Sequence, residues 1–127
     1  MPKRDRRSEI MRAAERLFTS RQYHEISLDD VIRDARVGKG TIYRYFKNKE
    51  DLFLQTAQSG FDEVCEVIHC EVPGDASFER QLVSACRKIS DFFTRRKQLF
   101  RMMQTEQARM FWRRGEVRSR WHERRRK

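Results

Sequence analysis

The chain has 127 residues, room for one ordinary domain or a very small one with part of another. Its formal charge of +10 and sequence pI of about 10.2 suit a polyanionic partner (DNA, RNA or an acidic membrane face) and argue against an acidic or neutral one. The surplus sits at the two ends: residues 1–60 hold 13 Lys/Arg against 9 Asp/Glu, residues 61–97 hold 6 against 7, and residues 98–127 hold 10 against 3.

Two prolines, five glycines and abundant Glu, Arg, Lys, Leu, Ala and Met predict an all-helical protein. Ile10, Ala13, Ala14, Leu17 and Phe18 mark one face of a first helix over roughly 5–20. The arm before it, Lys3-Arg4-Asp5-Arg6-Arg7, reads either as a phosphate or minor-groove contact or as a solvated end. Ser27 caps a second helix, with Asp30 three residues on as a shortened capping box and Ile26 and Val31 as a hydrophobic staple. That helix should stop near Arg36, with Val37 and Gly38 making the turn. A third helix then runs from about Lys39 to Phe46, with Ile42 and Phe46 facing in.

Asn48 caps the next helix, with Asp51 at its third position. Leu52, Phe53, Ala57, Phe61, Val64, Cys65 and Ile68 give it an apolar stripe as far as about Cys70. Gly60 inside it reads as close helix packing or as a bend. Pro73-Gly74-Asp75 is a linker signal. Beyond it, Phe78, Leu82, Ala85, Cys86, Ile89, Phe92 and Phe93 repeat at helical spacing. After Arg95-Arg96-Lys97, another helix is predicted to turn Leu99, Phe100, Met103, Met110 and Phe111 inward. The last stretch, 113–127, reads as a solvated helix face or as a nonspecific DNA contact.

A helix that enters the major groove needs an anchored inner face, outward base-edge and phosphate groups, and an unobstructed N-terminal end. Ile42 and Phe46 supply the first, and Gly40 the last. Thr41 offers a hydroxyl and a methyl, Arg44 a guanidinium suited to guanine, and Lys39 a cation for guanine or phosphate. Tyr43 and Tyr45 carry phenolic hydroxyls; Tyr45, at the core edge, is expected to pack its ring. The helix starts at Ser27 and at Asn48-Lys49 are phosphate sites, and Lys47 and Lys49 add charge. The candidate DNA-binding residues are therefore Ser27, Lys39, Gly40, Thr41, Tyr43, Arg44, Tyr45, Lys47 and Lys49.

This stretch resembles the N-terminal domain of the TetR family of transcriptional regulators. The likeness spans roughly residues 8–56: SEIMRAAERLFTSRQYHEIS, then LDDVIRDARV, then the highly specific GTIYRYFKNKEDLF. Beyond residue 60 only the helix pattern carries it. The resemblance implies a three-helix helix-turn-helix DNA-binding domain at 1–48. A long linking helix and a helical regulatory and dimerisation domain, expected to be incomplete, would follow at 49–127. It implies a homodimeric repressor of a palindromic double-stranded DNA operator, released by a small apolar or amphipathic effector. Family DNA contacts carry over to Ser27, Lys39, Gly40, Thr41, Tyr43, Tyr45 and Lys49, and more loosely to Arg44. Two positions depart from the pattern. Arg36 stands where the family has a glycine, so either it is left-handed or the turn differs. Gly38 stands in place of a hydroxyl cap.

Phe92, Phe93, Phe100, Met103, Met110 and Phe111 are candidates for an effector pocket; the alternative is plain core or an interface. Cys65, Cys70 and Cys86 are expected as reduced thiols in or beside cores. His24, His69 and His122 are scattered, so neither a metal nor a cofactor is expected. No nucleophile–base pair or phosphate loop points to an enzyme. No apolar run reaches membrane-spanning length, and the N-terminus leads into an amphipathic helix, so a cytoplasmic protein is expected. The rival readings are a nonspecific nucleic-acid-binding helical protein and a partner-binding helical protein.

Overall fold

The computed structural model describes residues 5–115, and all its regular structure is helical. Seven α-helices follow in order: α1 (Arg6–Ser20), α2 (Leu28–Ala35), α3 (Lys39–Tyr45), α4 (Lys49–Glu71), α5 (Phe78–Arg95), α6 (Lys97–Met103) and α7 (Glu106–Arg113). A 3-10 turn at Tyr23–Glu25 links α1 to α2.

Local chemistry starts these helices. At α2, the Asp30 amide donates to Ser27 Oγ (3.3 Å) and the Ser27 amide donates back to Asp30 Oδ2 (2.9 Å), closing the expected capping box. At α4, the Asp51 amide donates to Asn48 Oδ1 (2.8 Å). The Asp51 carboxylate in turn accepts from the Lys47 amide (2.9 Å). Asp5, in the basic arm, caps α1 by accepting from the Ser8 amide (3.2 Å).

Arg36 ends α2 at φ 56°, ψ 47°, the sole non-glycine residue with positive φ among those described. The left-handed alternative therefore holds, at about 1–2 kcal/mol relative to a glycine there. Gly38 precedes α3 with no side-chain cap.

The first four helices close around Ile10, Ala13, Ala14, Phe18, Val31, Ile42, Phe46, Leu52 and Phe53, all buried. Met102 from α6 and Phe111 from α7 complete this core. Ring centroids of Phe18, Tyr23, Phe53 and Phe111 lie 5.0–6.1 Å apart in edge, tilted and stacked pairs. Each such pair adds about 0.5–1.5 kcal/mol beyond its area burial.

Gly60 is a close-packing position. A β-carbon there would lie 2.5 Å from Leu99 Cδ1 and 2.6 Å from Cδ2, so α6 seats against the bare backbone of α4. Phe61, Val64, Cys65 and Ile68, further along the α4 stripe, are only half-buried.

Three expectations need correction. The single helix predicted after residue 97 is two, because Thr105 caps a new one: its Oγ1 accepts from the Ala108 amide (3.3 Å). The break changes which residues face in. Leu99, Met102 and Phe111 are buried, whereas Phe100 and Met110 are exposed. On α5 the apolar face exists, but only Phe92 is buried; Phe78, Leu82 and Val83 stand in solvent. Cys70 and Cys86 are likewise exposed and Cys65 half-buried, all three as free thiols. Cys70 Sγ donates to Glu66 Oε1 (3.3 Å), a contact that pushes its pKa up.

Candidate nucleic-acid interface

Helix α3 is only seven residues long, so its own propensity cannot hold it. It is held from below. Ile42 and Phe46 are buried one helical turn apart. The Tyr45 carbonyl, at the C-terminal end, accepts from Gln55 Nε2 (3.1 Å) on α4. Gln55 also donates to Asp51 Oδ2 (2.9 Å) and accepts from Arg7 (2.9 Å). Arg7, expected as a possible DNA contact of the arm, thus braces the end of α3. Lys3 and Arg4 lie outside the described residues, as do residues 116–127 of the basic end.

With that face anchored, the opposite face is open. Lys39, Gly40, Tyr43 and Arg44 are exposed, with Tyr43 at 50% of its maximum, and Thr41 is half-buried. Lys39, Tyr43 and Arg44 make no side-chain hydrogen bond or ion pair with other described residues. A β-carbon on Gly40 would meet nothing within 4 Å, so nothing else in the described chain requires glycine there. Tyr45 is half-buried against the core, with its ring centroid 6.4 Å from that of Phe46.

The flanking positions divide. Ser27 is exposed, and its Oγ is engaged by the capping box. Asp30 is held below the usual carboxylate range, first by the Ser27 amide. Arg33 (2.6 Å) and Arg21 (3.7 Å) also reach Asp30, and both were missed as cations beside this surface. Lys47 is exposed. Lys49 is not a free cation: its ammonium donates to the Tyr23 carbonyl (2.9 Å) and lies 4.1 Å from the Tyr23 ring centroid. It ties the 3-10 turn to the start of α4, across 26 positions of sequence that carry no local signal.

The six candidate effector residues do not converge on one cavity. Phe92 and Phe111 are buried, Phe93 and Met103 half-buried, and Phe100 and Met110 exposed. Phe92, Phe93 and Phe100 instead pack ring on ring at 5.2 Å. A cavity of about 330 Å³ opens between α4, α6 and α7, lined by Phe53, Ala57, Phe61, Met103, Ala108, Arg109, Trp112 and Arg113. Of the six, only Met103 lines it. Among the described residues, no cluster of three or more His, Cys, Asp or Glu could hold a metal, and no helix is long and apolar enough to cross a membrane.

Residues 10–56 match the family model described as "Bacterial regulatory proteins, tetR family". Over 49 residues, 39% of this chain and 26% of the relative, the chain is 51% identical to the HTH-type transcriptional regulator YhgD of Bacillus subtilis. Over 103 residues, 81% of this chain and 47% of the relative, it is 25% identical to the HTH-type transcriptional activator FasR of Mycolicibacterium smegmatis. The chain thus spans under half the length of these relatives. Its fold matches that of the fatty acid degradation regulator FadR from Bacillus halodurans with a TM-score of 0.79 at 23% identity, covering 92% of this chain and 62% of that one. The anchored α3, its open outer face and the match over 10–56 agree: this part of the chain is similar to the DNA-binding part of the tetR family of bacterial regulatory proteins.

Proposed function

We propose that this protein is a sequence-specific regulator of transcription that binds a palindromic DNA operator as a homodimer. One observation carries the reading. A seven-residue helix is anchored by buried Ile42 and by its buried C-cap residue Phe46, while Lys39, Tyr43 and Arg44 stand outward with no partner among the described residues. Unpaired cations and a half-exposed phenol on an anchored helix suit base edges and phosphates. Gly40, which nothing in the described chain demands, suits close approach of a phosphate backbone. Thr41 and Arg44 would read bases. Tyr43, Tyr45, Ser27, Lys39 and Lys47 would set the register on phosphates or sugars.

The proposed effector is apolar or amphipathic. The cavity of about 330 Å³ falls at the small end of ligand sites. Its walls are aromatic and aliphatic, and Arg109 and Arg113 would meet an anionic end. The reading is of a regulator that acts by binding, in the cytoplasm, without a metal or a cofactor.

The test is selection of bound duplexes from a random DNA pool, followed by comparison of operator and random duplex across salt concentrations. A two-fold-symmetric site with a large affinity ratio is expected. Equal binding of random duplex would replace this reading with a nonspecific nucleic-acid module. Tyr43→Ala should cut operator affinity by roughly 5- to 150-fold while leaving helicity unchanged. Unchanged operator affinity would remove α3 from the interface.

A further inference from the structure

Glu15 is a carboxylate on α1 that is only 3% exposed, although α1 otherwise buries mainly apolar groups. Its main partner comes from 81 positions away: Arg96 Nη2 lies 2.6 Å from Glu15 Oε1. The other arm of the same guanidinium holds Glu63 Oε2 on α4. Arg12 on α1 stands further off, at 4.0 Å from Glu15.

Arg96 occupies an unusual place. It is at once the C-terminal cap of α5 and the N-terminal cap of α6, with φ −113° and ψ 56°. The joint between these two helices is therefore the residue whose side chain grips α1. The next α1 residue, Arg16, reaches Asp34 Oδ2 on α2 at 2.7 Å, and Asp34 lies two positions before the left-handed turn at Arg36. A line of charge contacts runs from Glu63 through Arg96 to Glu15, and from the adjacent Arg16 to Asp34.

We infer that Arg96 is a positioning residue: through Glu15 it couples the α5–α6 joint to the placement of the helices that read DNA. This rests on the DNA-binding reading above. A change in angle between α5 and α6 turns about Arg96 and is delivered to α1, and α1 delivers it to α2 and α3, against which it packs. Stability alone does not account for the arrangement, because buried ion pairs are commonly replaced by apolar groups without loss. A planar fork across two carboxylates fixes a direction, which an apolar contact does not.

The test uses the full chain and the operator selected by the parent protein. The double variant Glu15→Gln/Arg96→Met removes the buried pair without leaving a charge fully buried, since the Glu63 side chain keeps 41% of its exposure. Its thermal unfolding midpoint should stay close to that of the parent. Its operator-to-random affinity ratio should fall about tenfold, within the range of couplings between sites. Arg96→Lys keeps the charge but not the fork and should lose an intermediate amount; if the double variant does not fold, this variant carries the test. An unchanged ratio in a folded variant would overturn the inference, as would a loss that simply tracks lost helicity. A parent chain that does not discriminate at all would overturn the DNA-binding reading itself.

Discussion

Phe46 and Phe78 are the same side chain in two different settings. Phe46, after α3, is 1% exposed and packed beneath the open outer face of that helix; Phe78, at the start of α5, is 78% exposed. The difference extends to the regions around them. Residues 10–57 hold most of the buried core, and the turn from α3 to α4 is stitched by the side chains of Asp51 and Gln55. Residues 78–95 form a helix just as regular, yet bury one aromatic. A surface of the kind proposed here needs a rigid floor, and the residues beneath it are pinned within this chain. The α5 face has helical order without cover among the described residues.

The sharpest way to break this contrast is to truncate both rings. Phe46→Ala should cost about 3–5 kcal/mol in urea unfolding, the usual figure for a buried phenylalanine. Phe78→Ala should stay within about 0.5 kcal/mol. Similar losses at the two sites would mean that α5 is covered in solution. Next comes the seam between the regions. Gly60→Ala gains about 1 kcal/mol of helix propensity but forces Leu99 to move, at about 1–3 kcal/mol, so a net loss is expected. Leu99→Ala in that background should recover part of the clash, a non-additivity that a double-mutant cycle would read. A smaller loss than at Phe46 belongs to Ser27→Ala, about 1 kcal/mol for the lost cap. The same box carries a pH dependence. Asp30 ionises below its ordinary range, so its contribution is present above about pH 4 and disappears as pH falls through its lowered folded pKa. The protection of amides at the start of α2 against hydrogen exchange, relative to their intrinsic rates, should therefore fall in acid, and Ser27→Ala should blunt that change.

Much of the first region is legible in the chain because its determinants are local. Ser27 with Asp30 and Asn48 with Asp51 are partners three residues apart, and Ile42 with Phe46 are four apart. Arg36 could be recognised as an awkward residue at a helix end, though only coordinates decide between a left-handed residue and a different turn. What the chain hides are choices among distant partners. Lys49 looks like a phosphate cation and instead grips Tyr23; Arg7 looks like a DNA arm and instead props Gln55. The break at Thr105 was concealed by apolar residues whose spacing suits one longer helix, although a threonine three positions before Ala108 is a cap signal. Periodicity says which side of α5 is oily. It does not say whether anything lies against that side, which is why the helical spacing of Phe78, Leu82 and Cys86 did not reveal that they are exposed.

Phe53 faces two ways. One side of its ring belongs to the aromatic stack with Phe18, Tyr23 and Phe111; the other is wall to the 330 Å³ cavity. An occupant of that hollow would press on the very phenyl group that supports the floor under α3. Phe111 lies 5.3 Å from that ring, so a severed fragment ending before Met102 and Phe111 would strip the ring of a neighbour on which the hollow and the floor both depend.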